Sequence, residues 1–213
     1  MTYKQPLPGG GLPQSNHSRA GAGLGSNQAQ TKFGHQGEVG ASGERHFAQM
    51  LKRAALDEVY DIFYSLSIPR GRDFKATAMK SDVDVVLLNG NQLVLVDVKR
   101  WKGTGIFWSM SGLPFRDLSP LTLGGKWKMS ANMAAAMRRY KEALPGVHVT
   151  AMVVFVPTKR GTAPASVRWL KWPGGIRSFL APAALKELQS RLGAERVVPE
   201  ARVVGTLHAL ERG

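Results

Sequence analysis

The chain has 213 residues, with 29 Lys and Arg against 15 Asp and Glu, a formal net charge of +14 and no cysteine. The missing cysteines exclude a disulfide framework, a thiolate metal site and a cysteine nucleophile. No apolar run approaches the roughly 18 residues of a membrane span, and the N-terminus has no hydrophobic signal core, so a soluble, cytoplasmic protein is expected. A positive excess of this size points to a polyanionic partner, most commonly nucleic acid. From Val98 to Arg177 there are fourteen Lys and Arg against two acids, Asp117 and Glu142, a net of +12. Most of the charge is therefore concentrated in one window of the chain.

Residues 1–40 are rich in Gly, Pro, Ser, Asn and Gln without hydrophobic period. They are expected to form a disordered arm, with the domain covering 41–213. Ser42 is a plausible N-cap for a helix through Leu56, with Phe47, Met50, Leu51, Ala54 and Ala55 on one stripe. Val59 to Ile68 reads as a strand closed by Pro69-Arg70-Gly71, and the loop 70–80 carries Arg70, Arg72, Lys75 and Lys80. Two apolar runs around Asn89-Gly90 then form a predicted hairpin. Trp101 to Gly125 is irregular, with a small hairpin expected around Ile106 to Met110. A helix over Ala131–Leu144 follows, capped by Ser130 and closed by Pro145-Gly146. Val147 to Val156 suits a central strand buried on both faces. Ser166 to Leu170 is a further strand and Pro182 to Leu192 a helix. Val203-Val204 is assigned to a short strand beside a turn of helix. This alternation predicts an α/β domain with a mixed β-sheet flanked by helices.

The hairpin carries the chemistry. Its sequence runs from Ser81 to Lys99 as SDVDVVLLNGNQLVLVDVK. Side chains alternate between faces of a strand, so parity assigns them. One face takes Val83, Val85, Leu87, Val94, Val96 and Val98, all apolar. The other takes Asp82, Asp84, Val86, Leu88, Leu93, Leu95, Asp97 and Lys99, apolar at the turn and charged at the open end. A Gly90-Asn91 loop sets Asp84 opposite Asp97. An Asn89-Gly90 loop shifts the register by two and keeps both on that face. Clustered carboxylates repel unless a cation separates them, and hard oxygen ligands select Mg²⁺ or Mn²⁺. Lys99 shares the face and can reach a water or a phosphate. The pattern suggests metal-assisted phosphodiester hydrolysis.

Gly43-Glu44 opening a helix, Asp84 in a Val-rich strand, and Val96-Asp97-Val98-Lys99-Arg100-Trp101-Lys102-Gly103 together resemble the nuclease-related domain family, part of the PD-(D/E)xK nuclease superfamily. The resemblance covers about residues 40–160. It implies a restriction-endonuclease-like fold and a Mg²⁺-dependent endodeoxyribonuclease-like activity. Under it, Asp84 and Asp97 are metal ligands, the Val98 carbonyl is a further ligand, Lys99 orients the attacking water, and Glu44 is an additional catalytic and metal-binding acid. Two positions depart from the pattern. Asp stands at 97 where Glu is commoner. Ala136, four residues before Tyr140, stands where a Gln is frequent, with Lys126 and Asn132 as candidate substitutes.

Other readings compete at single residues. Glu44 also suits the positive end of its helix dipole. Asp82 lies one step further from the turn than Asp84 and reads as a rim residue. Arg100, Lys102, Lys126 and Lys128 are the candidate nucleic-acid contacts, interleaved with Trp101, Trp108 and Trp127, which suit either a core or base stacking. DNA is favoured over RNA as the partner, and homodimerisation stays open. The rival functions are a non-catalytic nucleic-acid-binding protein on this fold and a scaffold whose charge serves solubility.

Overall fold

The computed structural model describes residues 35–70, 82–101, 103–122, 129–158 and 160–211. Residues 1–34 of the arm expected over 1–40, and Arg72, Lys75 and Lys80 of the 70–80 loop, lie outside them, whereas residues 35–40 are helical rather than part of an arm. Among the described residues, fourteen elements follow one another: α1 (His35–Arg53), β1 (Asp61–Ser67), β2 (Asp82–Asn89), β3 (Gln92–Lys99), β4 (Ile106–Met110), β5 (Leu113–Arg116), β6 (Ser119–Pro120), α2 (Asn132–Ala143), β7 (His148–Phe155), β8 (Ser166–Trp169), β9 (Lys171–Trp172), β10 (Ile176–Leu180), α3 (Ala181–Leu192) and α4 (Ala201–Leu210). The mixed α/β architecture agrees with the alternation in the sequence.

The main sheet has six strands in the order β1-β2-β3-β7-β10-β9. The β1-β2-β3 part is antiparallel, and β7 joins β3 and β10 in parallel. β7 is thus central, and its residues from Ala151 to Phe155 alternate between two cores rather than between core and water. One core holds Val85, Leu87, Val94, Val96 and Val98 against Phe47 and Leu51 of α1 and Ala184 and Leu188 of α3. The other holds Val86, Leu88, Leu93 and Leu95 against Ala136 and Tyr140 of α2 and Val203 and Leu207 of α4. A second sheet, β6-β5-β4-β8, sends Phe107 and Val167 into this latter core.

Three expectations are corrected. Helix α1 begins at His35, so Ser42 lies inside it rather than capping it. Val203-Val204 is helical, because Val203 and Leu207 at i and i+4 share the buried stripe of α4. Val83 joins the core opposite to Val85, although parity places them together. The cause lies on the neighbouring strand. Ser65 has φ +57, a left-handed conformation costly for a side chain with a Cβ. Tyr64 and Leu66, on either side of it, likewise pack into different cores. Their partners are Val85 and Val83, with no residue inserted in either strand. Both strands therefore change phase together, at the step that carries Ser65 and Asp84.

Candidate metal-dependent active site

The hairpin register settles which loop is used. Asn89 pairs with Gln92, so the loop is Gly90-Asn91, with Gly90 at φ +55 as such a tight turn requires. The same register, carried one step beyond the Val85–Val96 pair, sets Asp84 across from Asp97. At that step the ladder stops. Asp84 turns its Oδ2 toward β3 and accepts the Val98 N–H at 2.6 Å. A side chain thus takes the donor that a neighbouring strand would otherwise satisfy. On its other side β3 is fully paired: the Lys99 carbonyl accepts the Val156 N–H at 3.0 Å. Peptide groups alternate in direction along a strand, so the Val98 carbonyl faces the same opening as its N–H.

Asp97 and Lys99 form the second half of the site. Lys99 Nζ lies 2.8 Å from both carboxylate oxygens of Asp97. Burial works against the ammonium, but the charges of Asp97 and Asp84, the hydrogen bond to Asp97 and the charge of Glu44 outweigh it and raise the Lys99 pKa. Asp84 is pushed the opposite way for a carboxylate. Burial first, then the negative charges of Glu44 and Asp97, lift its pKa well above the ordinary range, against the opposing pull of Lys99 and the Val98 N–H. Glu44, reaching in from α1, is close enough to influence both groups. The four candidate catalytic residues, Asp84, Asp97, Lys99 and Glu44, are therefore brought together by three elements, α1, β2 and β3.

The chemistry of this donor set fits a hard divalent cation. A carboxylate kept reluctant to ionise by burial and by two neighbouring acids is a place where added positive charge is favoured. Among the described residues, no group of three or more His, Cys, Asp or Glu side chains forms a metal cage. Mg²⁺ does not need one, because it is commonly held by one or two carboxylates and completes its shell with water and substrate oxygens. Asp84, Asp97 and the Val98 carbonyl are the donors that would hold it, with Glu44 beside them.

Other candidates are placed differently. The Arg100 guanidinium donates from Nε to the Pro157 carbonyl at 2.8 Å and from Nη1 to Ser42 Oγ at 2.6 Å, tying α1 to the end of the central strands. At Gly43 a Cβ would sit 3.5 Å from Val156 Cγ2 and 3.7 Å from Arg100 Cβ, ordinary van der Waals contact, so α1 packs against this end of the strands without requiring glycine there. Lys102, Lys126, Lys128 and Trp127 lie outside the described residues. Trp101 packs among Phe107, Phe155 and Trp172, the core role rather than a stacking one. Asp82 is half-buried; burial of Tyr140 first, and then the charge of Asp82, raises the Tyr140 pKa. Tyr140 donates its hydroxyl to the Ser67 carbonyl at 3.0 Å. Ala136 is 1% exposed, so the position where a Gln is frequent here serves the core. Sequence reasoning missed Ser65, whose buried Oγ has no hydrogen-bond partner among the described residues. A lone serine in a strand gives no signal of a left-handed backbone.

A family model described as a nuclease-related domain matches residues 39–156, from the first helix through the central strand. A search of curated proteins returns no match.

Proposed function

The chain belongs to the nuclease-related domain family, and from that premise we propose that it is a Mg²⁺- or Mn²⁺-dependent nuclease that hydrolyses phosphodiester bonds, with DNA as substrate. The observation that carries the proposal is the open end of the hairpin. There Asp84, Asp97 and Lys99 converge where the strands part, beside Glu44. A divalent cation bound there supplies Lewis acidity toward the scissile phosphate and lowers the pKa of a coordinated water. Asp84 and Asp97 would hold the cation through carboxylate oxygens, and the Val98 carbonyl would add a neutral donor. Asp97 also orients Lys99, whose ammonium stays charged and can neutralise the negative charge that develops on the phosphate as the water attacks. Glu44 adds negative charge that favours cation binding. The basic window after Val98 binds the polyanion backbone, which makes binding salt-dependent and largely indifferent to sequence.

Ala136 favours a second reading, a protein that binds nucleic acid on this fold without cutting it. The two separate in one assay. Plasmid and single-stranded DNA are incubated with Mg²⁺, Mn²⁺ or EDTA beside Asp97→Ala and Lys99→Ala. The nuclease reading expects metal-dependent cleavage that both variants lose. Binding without cleavage under every metal condition supports the second reading instead.

A further inference from the structure

The second sheet shows one face to its core and the other to solvent. On β4, Phe107 is buried, while Ile106 and Met110 are 48% and 58% exposed. Pairing across the four strands then places one row on the open face. Trp108 faces Phe115 on β5, Phe115 faces Pro120 on β6, and Trp108 faces Trp169 on β8. The Trp108 and Phe115 rings lie nearly parallel, 4.4 Å apart with an interplanar angle of 13°. Trp108 Nε1 donates to the Asp117 carbonyl at 2.6 Å, which fixes its ring in that plane. Trp169 is 57% exposed, with the Arg168 guanidinium 4.4 Å from its ring centroid.

From this row we propose a platform for an unpaired nucleic-acid strand, with bases stacking on Trp169 and along the Trp108–Phe115 surface. The proposal deepens the nuclease reading and rests on it for the class of ligand. Charge complementarity selects the occupant. Between Ser166 and Ile176 the chain carries Arg168 and Lys171 and no acid. Over 103–122 the one acid is Asp117, and its Oδ1 accepts the Ile106 N–H at 2.9 Å. With the Arg168 guanidinium over one face of Trp169, the opposite face is left for a base and the cation for a phosphate, and stacking accepts any base because every base has a π-face. β4 begins at Ile106, seven residues after Lys99 in the chain, so the platform and the site are linked through a short stretch of sequence.

The test measures anisotropy of labelled oligo(dT) and of a blunt duplex with full-length protein in EDTA, where cleavage is blocked, for wild type, Trp169→Ala and Trp169→Phe. The platform predicts that Trp169→Ala weakens oligo(dT) binding roughly five- to a hundred-fold, the range for loss of one stacked base. Duplex affinity and melting temperature should be unchanged, and Trp169→Phe should stay near wild type. Equal oligo(dT) affinity for wild type and Trp169→Ala overturns the platform. So does a Trp169→Ala variant that loses only self-association in sedimentation, which would make the face an interface between copies of the chain. Absence of oligo(dT) binding by wild type overturns it as well. Plasmid cleavage by wild type with Mg²⁺, lost in Asp97→Ala, keeps the nuclease reading standing in each of those cases. Its absence removes the nuclease reading alone, and the oligo(dT) comparison still decides the platform.

Discussion

The two ends of the β2–β3 hairpin are built on opposite terms. At the turn the Asn89 side chain has both its donor and its acceptor matched. Asn89, 2% exposed, donates from Nδ2 to the Leu192 and Glu195 carbonyls at 2.8 Å each, and its Oδ1 accepts the Val197 N–H at 2.7 Å. The Gly90 N–H adds a 2.9 Å bond to the Val197 carbonyl. At the open end the ladder stops, three acids and a lysine crowd together, and one carboxylate is held well above its ordinary pKa. A single hairpin thus has one end that fastens the fold and one that concentrates unbalanced charge. The difference separates what keeps this chain folded from what equips it for chemistry.

The largest expected effect is on activity. Asp97→Ala and Lys99→Ala should each lower metal-dependent cleavage by about 10²-fold or more, with melting temperatures near wild type. A collapse of stability in either variant would break the comparison. Next comes Asn89→Ala, which removes three hydrogen bonds and leaves buried peptide groups unpaired. It should cost about 2–4 kcal/mol by denaturant unfolding, while cleavage per folded molecule stays unchanged. Gly90→Ala should cost about 1–2 kcal/mol, because its φ of +55 suits glycine and the new Cβ would sit 2.8 Å from Val197 Cγ1.

The smallest effect has the opposite sign. A carboxyl whose folded pKa is raised binds protons more tightly in the native state. Stability therefore falls as pH rises from the ordinary value near 3.8 toward the raised one. Asp84→Asn keeps an acceptor for the Val98 N–H and removes the charge. It should raise the metal-free melting temperature at neutral pH, and the gain should vanish in acid below that window. A variant that melts lower than wild type at neutral pH would place Asp84 among the groups that fasten the fold.

The sequence showed this division at the hairpin because alternation is strict there. Parity sorted Leu87, Val94 and Val96 from Leu88, Leu93 and Leu95 correctly, and it set Asp97 and Lys99 on one side. It failed at Val83, where Ser65 rotates the pair, because a left-handed serine leaves no trace in hydrophobic pattern. Strand β10 was unassigned for a related reason: its inward position Ser178 is polar, and only the Trp172 Nε1 bond at 3.0 Å explains its burial. Val203-Val204 misled because two β-branched residues are too short a window to distinguish strand from the i, i+4 stripe that Leu207 completes. Glu44 was reached through family resemblance, since nothing in the spacing of α1 distinguishes a site acid from one that favours the helix dipole. The aromatic row across β8, β4 and β5 was out of reach, because it depends on pairing between strands far apart in sequence.

The central claim, that the open end of the hairpin binds a divalent cation, is tested most directly by Mn²⁺ titration followed by calorimetry at neutral pH. Wild type and Asn89→Ala should bind Mn²⁺ alike, and Asp84→Asn and Asp97→Asn should lose that binding. Equal Mn²⁺ affinity in wild type and both aspartate variants would contradict the claim.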